Sequence, residues 1–487
     1  MKGFVKLIAV VVTAAAFAVS CSKDKDSGAV SFDKPAVFID APSGMATVGF
    51  TLRNIKTLSV TSQPTGWDEP MLDQTTGMLT VIAPSATALE KGTAVESGTV
   101  VLAGVTPGGT SVSGVLFVGV VKTVDLSAAG VANSYMASVK ETNYLFDVMH
   151  KGDGSPLATD HLGVIWKSAS GLVQYLQMEN GKASFYIGAD TEDSNKILKG
   201  NAVIGAYDAN DELIWSWHVW TDYDPEGENA SVELNGYTMM TRNLGALANG
   251  NATTSEILAS YGLYYQWGRK DPFIGPSTYK ISSGQGAAMY NDSGSRTYVT
   301  MVASSAETGT MDYAVKHPLT FVTGVAESNN DWLWSKSDAG WSSDGDAGAK
   351  SVNDPCPYGW RVAPSAAFAG LEIVGTPAAG DEEKFGWTLT DGKAESFFMG
   401  GGRRRYDDGK IQNIYIPKDE AKMKLYTRAD IAQPWEGLYW TTAVNGTQSH
   451  ALHFWYEKLT GTGGIAPAEA YARANGMQVR CVKVKNL

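Results

Sequence analysis

The chain is poor in charge, poor in cysteine and has no basic stripe. Charged residues make up only 18% of the 487, and 51 acidic against 39 basic residues leave a net charge of -12. A nucleic-acid partner would demand a positive footprint for its phosphates, so nucleic acid is excluded as a partner. No Gly-x-Ser-x-Gly elbow, phosphate-cradling glycine loop or clustered zinc motif occurs, and an enzymatic role is not expected. The apolar run from Leu7 to Val19 is too short to span a bilayer as a mature helix.

That run, preceded by Lys2 and Lys6, reads as a signal peptide over residues 1–20. Ala18-Val19-Ser20-Cys21 is lipobox-like, with small side chains before a thiol that can take a lipid, so Cys21 is the expected lipidation site and the membrane is reached through that anchor. An ordinary signal cleaved elsewhere is the alternative. Residues 21–29, with Ser22-Lys23-Asp24-Lys25-Asp26, form a charged tether. It resembles the surface-export stretch of Bacteroidetes lipoproteins, which implies an outer-membrane, surface-exposed location; a plain solvated linker has the same composition.

What is abundant is glycine, at 53 residues, together with short runs of Val, Thr, Tyr and Trp. That balance predicts a turn-rich, mostly β, multidomain protein. Residues 30–122 read as an Ig-like β-sandwich: Val48, Phe50 and Leu52 alternate with Thr47, Gly49 and Thr51, and further runs lie at Leu79 to Ile82, Gly98 to Leu102 and Gly114 to Val121. Trp67 is read as a core plug. Residues 123–235 form a second sandwich-like unit, whose best strand pair is Asn201 to Tyr207 and Glu212 to Trp220 across Asp208-Ala209-Asn210-Asp211. Trp215, Trp217 and Trp220 invite a reading as a sugar platform. Aromatics on both faces of a strand instead predict packing between layers.

In residues 236–487, Ser255 is the expected N-cap of a short helix, and a second helix is expected from Ser365 to Leu371. Asn445-Gly446 marks a hairpin between Tyr439 to Val444 and Gln448 to Tyr456, Gly461 to Gly464 break the chain, and Met477 to Val484 form the last strand. The region also carries, in order, Tyr261-Gly262-Leu263-Tyr264-Tyr265-Gln266-Trp267-Gly268, His317-Pro318, Asp331-Trp332-Leu333-Trp334, Asp354-Pro355-Cys356-Pro357-Tyr358-Gly359-Trp360-Arg361-Val362, Gly400-Gly401-Gly402-Arg403, Leu438-Tyr439-Trp440 and Val479-Arg480-Cys481-Val482. This succession resembles the Fibrobacter succinogenes major paralogous domain of Bacteroidetes surface lipoproteins and fimbrillin-like proteins. The resemblance implies an α+β, C-type-lectin-like fold, distantly akin to the formylglycine-generating enzymes, in a cell-surface setting. With Cys21 assigned to lipid, Cys356 and Cys481 remain for one another in an oxidising compartment, and they match the structural pair of that family. Two buried thiols are the alternative.

Candidate sites each have a plain rival. His450 and His453 are an odd number of residues apart and point to opposite faces of a strand, against a zinc pair. Asp331, Asp338, Asp344, Asp346 and Asp354 lie in a Gly/Ser-rich region of the kind that holds Ca²⁺ in lectin-like domains, but their spacing matches no calcium motif, and no cofactor is predicted. Arg403, Arg404 and Arg405 form a candidate fork for carboxylate or sulfate on a glycan. With Trp334, Trp341, Trp435 and Tyr439 they make up the ligand-binding candidates. The expected function is an adhesin or glycan-binding module with a glycan or a host or microbial surface protein as partner. A tip or anchor subunit of a fimbria-like assembly is the alternative.

Overall fold

The computed structural model describes residues 27–277, 286–338, 340–342, 346, 349–381, 384–412, 435–458 and 460–485. The protein is mostly β and has several sheets around more than one core. Residues 1–26, with the expected signal peptide, Cys21 and the first part of the expected tether, lie outside the described residues.

In the first sandwich, one sheet is ordered Ala29–Phe32, Met45–Arg53, Met78–Ile82, Met71–Asp73, and the facing sheet Ala36–Ile39, Ser111–Val120, Ser97–Val105, Thr57–Ser62. Alternation places Val48 and Phe50 inside with Leu79, Leu102 and Leu116, while Leu52, at the end of its strand, is exposed. Trp67 is buried against this core and its Nε1 donates to the Val95 carbonyl at 2.9 Å.

The second sandwich sets a four-stranded sheet (Gln174–Glu179, Lys182–Ile187, Thr142–Asp147, Thr123–Asp125) against a six-stranded one. In the larger sheet Asn201–Tyr207 and Leu213–Thr221 are the expected antiparallel pair, and the Asp208 carboxylate accepts from the Asn210 and Glu212 amides to close their turn. Trp215 and Trp217 face the four-stranded sheet, whereas Trp220 faces the other way, so this sheet is buried on both faces and offers no sugar platform. His218 between them is fully desolvated, which depresses its pKa to about 3, and the neutral ring meets Asn201 Oδ1 at 2.9 Å.

The packing does not stop at residue 235. At one end of the six-stranded sheet lie Met289–Tyr290 and, at the edge, Arg296–Thr297, and Trp166, Val203 and Trp220 share one core with Trp267, Trp341, Trp360, Leu438 and Trp440.

The last unit carries small sheets, short helices and a long three-stranded sheet, Trp435–Asn445, Gln448–Glu457 and Thr462–Ala472. The expected hairpin at Asn445-Gly446 is present, with Gly446 at φ 57°. Three expectations need correction. The first helix, Thr254–Ser260, is capped by Thr253 rather than Ser255, because the Thr253 side chain accepts from Glu256 N while Glu256 reaches back to Ala252 N. Only a 3₁₀ turn, Ser365–Ala367, forms where a helix was expected. Gly463 and Gly464 do not break the chain but lie inside the strand Thr462–Ala472, and the terminal strand is split into Gly476–Met477 and Cys481–Lys483. Cys356 and Cys481 are joined by a disulfide across 125 residues, with Cα atoms 6.0 Å apart, inside the core shared with the second sandwich.

Candidate functional site

The ligand candidates do not gather at one place. Trp341 is fully buried and its Nε1 donates to the Arg269 carbonyl at 3.0 Å. Trp435 packs 5.0 Å from Trp387, and the Tyr439 hydroxyl donates to the Met399 carbonyl at 2.8 Å. These three are core residues, a correction that follows from how little regular structure the unit has: its loops are held together by large aromatic plugs. The arginine run is also divided. Arg404 is buried and donates to the carbonyls of Gly409 and Ile274, Arg405 pairs with Asp407 at the surface, and Arg403 lies half-buried with its guanidinium 5.5 Å from the Tyr471 ring centre.

The acidic residues considered for Ca²⁺ are likewise individually engaged. Asp331 and Asp338 meet Arg473, Asp346 accepts from Ser365 N and the Thr442 hydroxyl, and Asp354 accepts from the amides of Cys356 and Val362. Asp344 lies outside the described residues.

Sequence reasoning missed the buried cations. Lys350 Nζ donates to the carbonyls of Cys356, Pro357 and Trp360, which shapes the loop around the disulfide. Arg269 holds the carbonyls of Thr320, Ala314 and His317. Arg480 bonds Asn243, Ser396 and the Phe397 carbonyl, sandwiched between the rings of Phe398 and Tyr439. Irregular backbone must be satisfied from somewhere, and here the lysine ammonium and the arginine forks take the place of ladder hydrogen bonds. No local pattern in the sequence marks such a role.

Trp334 is the aromatic candidate that remains in solvent. Its side chain stands at a cleft of about 350 Å³ lined by Ala306, Thr310, Met311, Leu333, Trp334 and Ser335 among others. Local chemistry fixes it there. Buried Trp332 anchors the turn by donating from Nε1 to the Trp267 carbonyl at 2.7 Å, and the Asp331 carboxylate accepts from Leu333 N at 2.9 Å. Trp334 N then donates to the Gly309 carbonyl at 2.9 Å, tying the turn to the loop before the helix Met311–Lys316. That approach is close: a Cβ on Gly309 would stand 2.8 Å from the Trp332 carbonyl oxygen, so a side chain there would part the two walls. The indole is 38% exposed, whereas Trp332, two residues earlier, is fully buried.

Every lining side chain is uncharged, with Met311, Leu333 and Ala306 as apolar wall and Ser335 exposed at the rim. Such a cleft can hold the C–H face of a ring against the indole and offer hydroxyls at its edge. Its lining carries the hydroxyls of Thr310, Ser335 and Ser337 and no titratable side chain.

No family model and no curated protein matches the chain. Among solved structures, similarity is found to mouse clustered PcdhgC3 EC1-3 (15% identity, TM-score 0.15, covering 40% of this chain and 68% of that one). A Yersinia pseudotuberculosis adhesin, InvE, matches at 11% identity and TM-score 0.13, covering 52% of this chain and 78% of that one. The mixed-linkage glucan utilization locus SGBP-B of Bacteroides ovatus, in complex with a mixed-linkage heptasaccharide, matches at 8% identity and TM-score 0.12; this chain spans 43% of it, and 39% of this chain is covered. At TM-scores this low the likenesses carry no argument about fold or function.

Proposed function

We propose that the protein is a lipid-anchored cell-surface binding protein, an adhesin or glycan-binding module, whose last unit is a C-type-lectin-like domain of the major paralogous family held away from the membrane by the preceding sandwiches. The observation that carries the binding role is the Trp334 cleft, an exposed indole fixed in a rigid frame beside an uncharged wall. An uncharged aromatic cleft suits a neutral sugar ring, and its lining favours binding over catalysis. Titration of the mature chain with neutral gluco- and xylo-oligosaccharides, followed by tryptophan fluorescence and calorimetry, tests it. Trp334→Ala should weaken binding about tenfold or more, the equivalent of ~1.4 kcal/mol. Equal affinity in the variant, or no binding to any neutral glycan, rejects the reading.

An assembly role, as a tip or anchor subunit, has one observation in its favour: among the described residues Thr462–Ala472 is paired on one side only within its sheet. Pro467 and two glycines on that strand oppose strand addition, and the binding reading is preferred.

A further inference from the structure

One face of the three-stranded sheet, away from the Trp334 cleft lining, carries an arrangement that core packing does not account for. Strand register puts Glu436 opposite Trp455, Leu438 opposite His453 and Trp455 opposite Gly464. Leu438 and its neighbour on this face, Trp440, enter the shared core, but the other end of the face is polar and half-open. There His453 stands between two carboxylates, with Nδ1 2.6 Å from Glu469 Oε2 and Nε2 3.5 Å from Glu436 Oε1. The histidine is only 9% exposed, and its Nε2 makes no hydrogen bond, the approach to Glu436 being too long for one. Aromatic rings flank it: Trp455 at 4.9 Å and Tyr471, edge-on, at 5.9 Å.

Arg403 completes the group. Its strand is set beside this sheet by the bond from Gly402 N to the Glu436 carbonyl, 2.7 Å, and its guanidinium lies over Tyr471. Among the described residues it has no hydrogen bond and no ion pair, and its Nε is sealed from solvent without a partner. Its two sequence neighbours differ, one spent on carbonyls and the other on Asp407. Burial alone would lower the pKa of His453, but Glu436 and Glu469 outweigh it and the net shift is upward. Glu436 and Glu469 both face His453, and among the described residues no carboxylate pairs with Arg403.

We propose that this face is a second ligand site and that it takes an acidic sugar: a pyranose ring against the Trp455, His453 and Tyr471 row, with its carboxylate or sulfate on the Arg403 fork. A planar guanidinium matches either anion with two parallel bonds. Glu469, whose side chain is 46% exposed, retains acceptor capacity for ring hydroxyls. The site is independent of the Trp334 cleft, whose lining is uncharged and holds neither residue set.

The test titrates the mature chain with tetragalacturonate, which carries carboxylates, with a carrageenan-derived tetrasaccharide, which carries sulfates, and with cellotetraose as the neutral control. At least one acidic probe should bind more tightly than cellotetraose, with affinity falling as salt is raised. Arg403→Gln should weaken that binding about tenfold or more and Arg403→Lys should restore only part of it, while Trp334→Ala leaves it unchanged. Trp455→Leu, read by the same titration, supplies a second variant should Arg403→Gln fail to fold. Which acidic probe binds assigns the anion. Equal binding of the neutral probe, indifference to both Arg403→Gln and Trp455→Leu, or no binding of either acidic probe at millimolar concentration overturns the proposal. Loss of neutral-glycan binding in Trp334→Ala with acidic binding intact keeps the two sites apart.

Discussion

Lys167 pairs with Tyr290, and through that contact a strand of the last unit completes the six-stranded sheet of the second sandwich. Trp166, next to Lys167, lies in the same core as both disulfide cysteines. The first sandwich has its own core and touches the second at a few contacts, among them Phe117 stacked 4.4 Å from Tyr175 and the half-exposed Lys34–Glu179 ion pair.

Unfolding should therefore occur in two blocks, the first sandwich alone and everything after it together. Cys481→Ser removes a cross-link over 125 residues and should lower the stability of the second block by roughly 2–5 kcal/mol, leaving the first sandwich as it was. Scanning calorimetry of wild type and variant checks this. A shift confined to the last unit, with the second sandwich melting separately, would show that the shared core does not couple them.

Asp331 gives a pH dependence of determined sign. Burial raises its pKa to about 6, against the pull of the Leu333 amide and Arg473, while the unfolded carboxyl titrates near 3.8. A raised carboxyl binds its proton more tightly in the folded state, so its contribution is greatest below the unfolded value and is lost as pH climbs from about 4 to 6. Wild type should lose on the order of 1–3 kcal/mol relative to Asp331→Asn across that window and run parallel to it above pH 7. Denaturant melts at pH 4.5 and 7 measure the difference; the same gap at both values would mean that Asp331 stays ionised throughout.

The proposed anchor is Cys21, outside the described residues, after the lipobox-like Ala18-Val19-Ser20. Replacing Cys21 by Ala should release the protein from the membrane fraction and abolish labelling by a fatty-acid probe. Protease added to intact cells should reach the wild-type chain. Equal labelling of both proteins would refute the lipid, and full protection until lysis would place the chain in the periplasm.

The two sandwiches were legible because alternation is a local signal: Val48 and Phe50, or Trp215 and Trp217, announce an inner face wherever the strand ends up. The pairing of Cys356 with Cys481 followed from their small number. The last unit was read less well, since most of its residues sit in loops whose side chains are directed by distant partners. Trp334 and Trp341 look alike in sequence, yet one stands at a cleft and the other plugs the core under the Arg269 carbonyl. Glu436, His453 and Glu469 come together only through the register of three strands, one of which was hidden by Gly463 and Gly464, read as a break.

Those glycines have a packing role that can be tested against a second case in the same sheet. Gly437 lies opposite Phe454 and Gly464 opposite Trp455, and in each pair the ring lies across the glycine. A Cβ at Gly437 would come 1.9 Å from the Phe454 ring, and one at Gly464 would come 2.5 Å from the Trp455 ring. The surroundings differ. Phe454 is fully buried among Tyr439, Leu452 and Trp435, with no room to withdraw, whereas Trp455 is half-buried and can swing outward. Gly437→Ala should cost about 1–3 kcal/mol as an overpacked core, and Gly464→Ala less than about 1 kcal/mol. Gly464→Ala should nevertheless weaken acidic-sugar binding, because it displaces the ring that forms part of that face. Equal stability losses in the two variants, or a Gly464→Ala protein that binds the acidic probe as wild type does, would show that the glycine is not what sets the position of Trp455.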